Sequence, residues 1–240
     1  MSGTVIELTS GDGFRFNALH VPARGARKGG LVLVQEIFGV NSYMIEACER
    51  FAAEGYEVLA PSMFDRQKKG FATESHSAEA IAEGGGYARA NGLDNAMADI
   101  AACIAELEAP VFITGACIAE LEAPVFITGF CYGGSMAYLA ACQLDGLSAA
   151  SGYYGSLVPG AKDQAPRCPT IVHFGQHDAH IPMEGVRAFE QARRDVPVYV
   201  YDAGHGFARR RSDDHDAHAD ELAFRRTLDL FNQAAADAGF

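Results

Sequence analysis

Apolar positions along this chain recur first with the period of strands and then in an alternation of strand and helix. Two short β-rich segments open it, around Val5–Leu8 and Phe14–Val21, and Gly11-Asp12-Gly13 between them has the composition of a hairpin turn. The run from Gly30 to Gln35 is continuously apolar up to its last residue, as in a strand buried on both faces of a parallel sheet. Asn41 or Ser42 can cap a helix that ends near Glu54 with Gly55 as its stop, and Glu57–Ala60 is the next strand, ended by Pro61. Residues 62–93 predict a loop-rich excursion, with a helix near Ser75–Glu83 and Gly84-Gly85-Gly86 as a break. Asp94–Glu108 predicts a helix, because Met97, Ile100, Ala101, Ile104 and Leu107 form one apolar stripe behind a capping Asp94.

After residue 124 the alternation is clean. Strands are expected at Val125–Thr128, Ala149–Tyr153, Thr170–Gly175 and Val198–Tyr201, and helices at Gly133–Gln143, Glu184–Arg194 and from about Asp216 to Ala236. Strands alternating with helices imply an α/β fold, a mostly parallel sheet with helices on both faces, formed as a single domain over residues 1–240.

One feature breaks the pattern. Ala102–Gly115 and Ala116–Gly129 carry the same fourteen letters, ACIAELEAPVFITG. A crossover between parallel strands needs roughly 10–12 residues or more including its helix. The helical piece available between the two copies, Ala116–Leu121, would be only about 10 Å long. The second copy is therefore expected to hold the sheet strand, since it leads directly into the next motif, and the first to complete the preceding helix. Residues 109–122 would then be surplus, looped out or swapped onto a neighbour, with Val111-Phe112-Ile113 a sticky edge that promotes oligomers.

Composition narrows the function. At 240 residues with a net charge of −12 and no basic stripe, the chain is not built to bind nucleic acid. No secretory signal and no apolar stretch of membrane-span length are visible, so a cytoplasmic protein without a membrane association is expected. The six cysteines form no C-x-x-C pair and no metal-type spacing with histidine, so most are expected to be buried thiols and no metal is implied. The acidic run Asp213-Asp214-His215-Asp216 reads as the acid-capped start of a helix.

The candidate chemistry starts at Gly129-Phe130-Cys131-Tyr132-Gly133-Gly134, between a β-branched strand and a helix. This is a nucleophile-elbow pattern with cysteine as the nucleophile. Its glycines allow strand and helix to approach, and the helix N-terminus beside Cys131 favours thiolate. A glycine-rich turn with a merely buried cysteine is the competing reading. Against it, a carboxylate and an imidazole follow in the order that this fold requires. Asp178 comes just after Thr170–Gly175, and His205 just after Val198–Tyr201. His173 lies inside a strand and is expected in the core, while His177 and His180 flank Asp178 and can orient its loop.

These motifs, with Gln35-Glu36-Ile37-Phe38-Gly39, Gly152-Tyr153-Tyr154-Gly155 and Ala203-Gly204-His205-Gly206-Phe207-Ala208-Arg209, resemble the dienelactone hydrolase family (carboxymethylenebutenolidases) over nearly the whole chain. The resemblance implies an α/β-hydrolase fold, a Cys131–His205–Asp178 triad and no cofactor. It implies a small ester or lactone substrate, bearing a carboxylate, opened through a thioester intermediate. It also implies that Glu36 meets the resting thiol and gates its ionisation. The amides of Ile37 and Tyr132 would hold the oxyanion, and Arg209 would bind the carboxylate. Phe38 is expected to line the substrate site, as are Tyr153 and Tyr154, which end a strand at the sheet's active edge. The sequence departs from the family where a second arginine is expected before Tyr87, since Glu83 stands there and Arg89 lies nearby out of alignment. An esterase or thioesterase acting on other small substrates, or a variant impaired and oligomerised by its duplication, remains an alternative.

Overall fold

The computed structural model describes residues 3–108 and 123–239. Its elements follow in the order β1 Thr4–Thr9, β2 Arg15–Val21, β3 Gly29–Val34, α1 Ser42–Ala53, β4 Tyr56–Pro61, α2 Ala78–Glu108 and β5 Val125–Phe130. Then come α3 Tyr132–Gln143, β6 Leu147–Tyr153, a short 3₁₀ turn at Pro159–Ala161, β7 Thr170–Gly175, α4 Met183–Ala192, β8 Val198–Tyr201 and α5 Ala217–Asp237. The strands form one eight-stranded sheet in the order β1-β2-β4-β3-β5-β6-β7-β8. β1 and β2 run antiparallel at one edge, and every pairing from β4 to β8 is parallel.

The strands at the centre, β3, β5 and β7, are buried along their whole length, as their uninterrupted apolar runs require when helices cover both faces. Right-handed crossovers put α1 on one face and α2, α3 and α4 on the other, because the chain winds in both directions from β3. The α1 face is closed by α5, where Phe51 packs on Phe224 with ring centres 4.9 Å apart. On the same side Phe126 of β5 stacks against Phe231 at 4.8 Å. Asn41 caps α1 by accepting from the Met44 amide at 3.2 Å, and Asp216 caps α5 by accepting from the Ala219 amide at 2.8 Å.

The excursion expected at 62–93 is different in the structure. Gly84-Gly85-Gly86 does not break the helix; α2 runs through it for 31 residues, interrupted only at Gly92, whose φ of 70° and ψ of 175° kink it. Tertiary packing overrides the poor helix propensity of the glycines. A Cβ on Gly84 would lie 2.0 Å from the Ile37 carbonyl oxygen, so the helix can rest on the turn after β3 only where no side chain intervenes. Ser77 supports the start of α2 by accepting from the Ala80 amide at 3.3 Å.

The first copy of the duplicated segment contributes the last residues of α2, and the second contributes β5, paired Gly30↔Val125 through Val34↔Gly129 with β3. Positions 109–122, the stretch expected to be surplus, lie outside the described residues. No described helix is long and apolar enough to cross a membrane.

Candidate active site

Three strand ends place the candidate groups together. β5 ends at Phe130 and α3 begins at Tyr132, leaving Cys131 alone in the bend between them. Its φ of 54° and ψ of −112° lie where a side chain is strained, a conformation that costs about 1–3 kcal/mol and persists only where the surroundings enforce it. The enforcement comes from close backbone approaches. A Cβ on Gly133 would lie 2.1 Å from the Val34 carbonyl oxygen, and one on Gly129 would lie 2.4 Å from the Gly133 carbonyl oxygen. The Cys131 amide donates to the Tyr153 carbonyl at 3.0 Å, which ties the bend to the end of β6.

Asp178 sits in the loop after β7, its side chain fully buried. One carboxylate oxygen accepts from the amides of His180 at 2.8 Å and Ile181 at 3.1 Å, and the other meets Nδ1 of His205 at 2.7 Å. These two amides fix the carboxylate, so its second oxygen faces the imidazole. Burial works to raise the Asp178 carboxyl, but the His205 hydrogen bond and the two amides hold it below its ordinary value.

His205 follows β8 on the facing loop. Burial alone would lower its imidazolium, but hydrogen bonding to Asp178 and Cys131, with the charges of both, pushes it up to about 10. The imidazole thus stands between the Asp178 carboxylate and Cys131. Tyr154, at a φ of 37°, lays its buried ring 5.0 Å from that of His205, and His180 meets the same ring edge-on at 5.1 Å.

Cys131, Tyr132 and Ile37 border one cavity of about 500 Å³, whose other walls include Arg89 and Leu93 of α2 and Leu157 after β6. Sequence patterning did not point to Leu157, because its place beside Cys131 depends on the packing of β6 against α3. Ser135 makes that link, its hydroxyl donating to the Cys131 carbonyl at 3.4 Å and accepting from the Leu157 amide at 3.1 Å.

Three of the groups expected at the site meet other partners in this structure. Glu36 is buried, but its carboxylate is held by Arg209, Nε to Oε2 at 2.8 Å and Nη2 to Oε1 at 3.2 Å, where the resting thiol was expected. Arg209, expected to await a substrate carboxylate, is itself buried and also donates to Asp214 at 2.9 Å. The two charges pair because neither can be desolvated alone. Tyr153 points away from the cavity. Strand alternation puts Ser151 and Tyr153 on the α5 face, where the Tyr153 hydroxyl bonds Thr227 at 2.7 Å. Phe38 is buried beside the Arg209 guanidinium, 5.3 Å from ring centre to Cζ.

His173 is the core residue expected. It is fully buried, bonded to Tyr201 at 2.8 Å and to Ser151 at 3.1 Å, and burial pulls its pKa down to about 3. His177 reaches away from the site to Asp202 at 2.5 Å. Among the described residues no group of His, Cys, Asp or Glu is placed to hold a metal ion.

Comparison with known proteins agrees with this architecture. The chain is 31% identical over 229 residues to a carboxymethylenebutenolidase of Pseudomonas sp. (strain P51), covering 92% of this chain and 91% of that one. It is 29% identical to a carboxymethylenebutenolidase of Pseudomonas putida over 94% of each chain. The crystal structure of a putative dienelactone hydrolase from Klebsiella pneumoniae superposes with a TM-score of 0.77 at 25% identity, covering 96% of this chain and 99% of that one. With the Dienelactone hydrolase family model matching residues 16–235, the chain belongs to that family of α/β-hydrolases that act on esters.

Proposed function

We propose that this enzyme opens a lactone or cleaves an activated ester with Cys131 as nucleophile, His205 as proton carrier and Asp178 as its orienting carboxylate. The observation that carries this reading is the convergence of a strained, backbone-locked Cys131 with an imidazole whose Nδ1 is engaged by a buried carboxylate at 2.7 Å. Engagement of Nδ1 leaves Nε2 for the thiol. The thiol proton passes to His205, and the thiolate sulfur bonds the carbonyl carbon as the carbonyl electron pair moves onto oxygen. The amides of Ile37 and Tyr132, which border the cavity beside Cys131, are the donors for that oxyanion. Collapse restores the carbonyl and breaks the carbon–oxygen bond, and the His205 proton goes to the leaving oxygen. Water then adds to the thioester, giving its proton to His205, and the carbon–sulfur bond breaks to release the acid and the thiolate.

Relatives named carboxymethylenebutenolidase favour a substrate carrying a carboxylate. Arg209 is engaged by Glu36, so the cation offered to such an anion is Arg89, exposed on α2 at the cavity wall. The Glu36–Arg209 pair instead braces the turn that carries the Ile37 amide. For Glu36 to gate the thiol, it must first leave Arg209.

The test is hydrolysis of a dienelactone beside a neutral aryl ester. Cys131→Ser should lose at least about a hundredfold in kcat/KM on both, and an acyl adduct on Cys131 should appear in intact-mass spectra of the native enzyme. Arg89→Ala should raise KM for the anionic substrate alone. Undiminished turnover by the serine variant would end the proposal.

A further inference from the structure

A second cavity of about 340 Å³ opens beside the first. Its size falls within the ~300–1,000 Å³ of small-molecule sites. The two cavities share Ser156, and the second is walled by Pro159, Ile181, Pro182, Ala188 and the exposed His180. His180 is the residue whose ring meets His205 edge-on at 5.1 Å. His180 thus connects the second cavity to His205, while Cys131 borders the first. Cys131, Ile37 and Tyr132 border the first, so the acyl carbon and whatever it carries extend there. The proton donor to the leaving oxygen is His205, whose neighbour His180 belongs to the second.

We propose that this second cavity is a leaving-group subsite that accepts the alcohol portion of an acyclic ester, preferring an uncharged aromatic or aliphatic alcohol. The inference rests on the nucleophile reading above and deepens it. A lactone keeps its leaving oxygen tethered to the acyl chain and has no separate alcohol to place, so a distinct compartment on the His205 side extends the substrate range to esters made of two sizeable halves. The walls set the chemistry. Proline, isoleucine and alanine surfaces favour apolar groups, and Glu184 at the rim repels an anionic alcohol. Once the alcohol has left, the thioester on Cys131 is the same whatever the alcohol was, so the subsite acts on acylation and is silent in deacylation.

The experiment compares phenyl acetate with 2-naphthyl acetate, which share an acyl group and have leaving groups of similar acidity. In the native enzyme kcat/KM should favour the naphthyl ester about tenfold, the factor that ~1.4 kcal/mol of added apolar contact gives. Ala188→Trp, at an exposed position of α4, should fill the cavity and bring that ratio close to one. The single-turnover decay of the acyl-enzyme should be the same from both esters. A ratio unchanged by Ala188→Trp, in a variant whose circular dichroism matches the native protein, overturns the subsite. Leu93→Trp, on the acyl side, should alter the preference between acetyl and butyryl esters while keeping the naphthyl-to-phenyl ratio; loss of that ratio instead would also overturn it. Hydrolysis of neither ester by the native enzyme would be a separate failure, that of the nucleophile reading, and would remove the subsite with it.

Discussion

Replacing Asp178 by asparagine tests the centre of the mechanism with the smallest change of shape. The oxygen that accepts from the His180 and Ile181 amides can stay in place, so the loop after β7 should keep its conformation. The position 2.7 Å from His205 Nδ1 then becomes an amide NH₂, a donor where an acceptor stood. His205 must turn Nδ1 into an acceptor and carry its proton on Nε2, toward the thiol, where it can no longer take the Cys131 proton. The rise of His205 from an ordinary 6.5 to about 10 corresponds to about 5 kcal/mol of preference for the charged ring, at ~1.36 kcal/mol per pH unit. Asp178 supplies the leading stabilising contribution and Cys131 the next, so the asparagine variant should lose a substantial part of this preference. With the wrong tautomer added, kcat/KM should fall by about 10³–10⁴. The assay pairs ester hydrolysis with an NMR titration of the His205 ring, whose midpoint should fall below its native position. Stability follows the same sign. A raised imidazole contributes fully below its unfolded value near 6.5 and is lost as pH climbs through about 10, so the native-minus-variant difference should be largest near pH 5–6 and vanish above pH 10. An unmoved His205 titration, with activity within about threefold of native, would refute the reasoning.

Gly133→Ala would drive a methyl group to 2.1 Å from the Val34 carbonyl, so it should destabilise by more than about 3 kcal/mol and lower the thermal midpoint, an outcome read by calorimetry. Glu36→Gln removes the charge from a buried bidentate pair but leaves Arg209 its contact with Asp214, so a loss of about 2–3 kcal/mol is expected in urea titrations. His173, held down to about 3, stays neutral in the fold while the unfolded chain protonates below 6.5; stability should fall by ~1.4 kcal/mol per pH unit from there toward pH 3, a slope absent in His173→Gln.

Much of this molecule is legible in linear form because its site is made of strand ends. A buried parallel strand announces itself as an apolar run, and the first polar residues after it must lie at the sheet's carboxyl edge. Cys131, Asp178 and His205 each stand within a few residues of a strand that patterning predicts, so local patterning was enough to nominate them as candidates. The turn glycines are legible for the same reason, since their constraint is the local meeting of β5 with α3.

What patterning could not decide are the relations that close only in three dimensions. Arg209 and Glu36 are 173 positions apart, and nothing local says that burial will force each to neutralise the other before either can serve a substrate or a thiol. Local propensity ends a helix at Gly84-Gly85-Gly86, whereas close approach to the Ile37 carbonyl makes Gly84 the reason α2 can rest on the turn after β3. Strand period alone does not reveal which side of β6 faces α5, and that choice buries Tyr153 against Thr227 and turns Tyr154 toward His205. Sequence by itself determined which groups stand at the sheet's edge, because that is a matter of chain order. The tertiary structure alone decided which of them are engaged by one another and which border open space, because pairing and burial depend on distance through the fold.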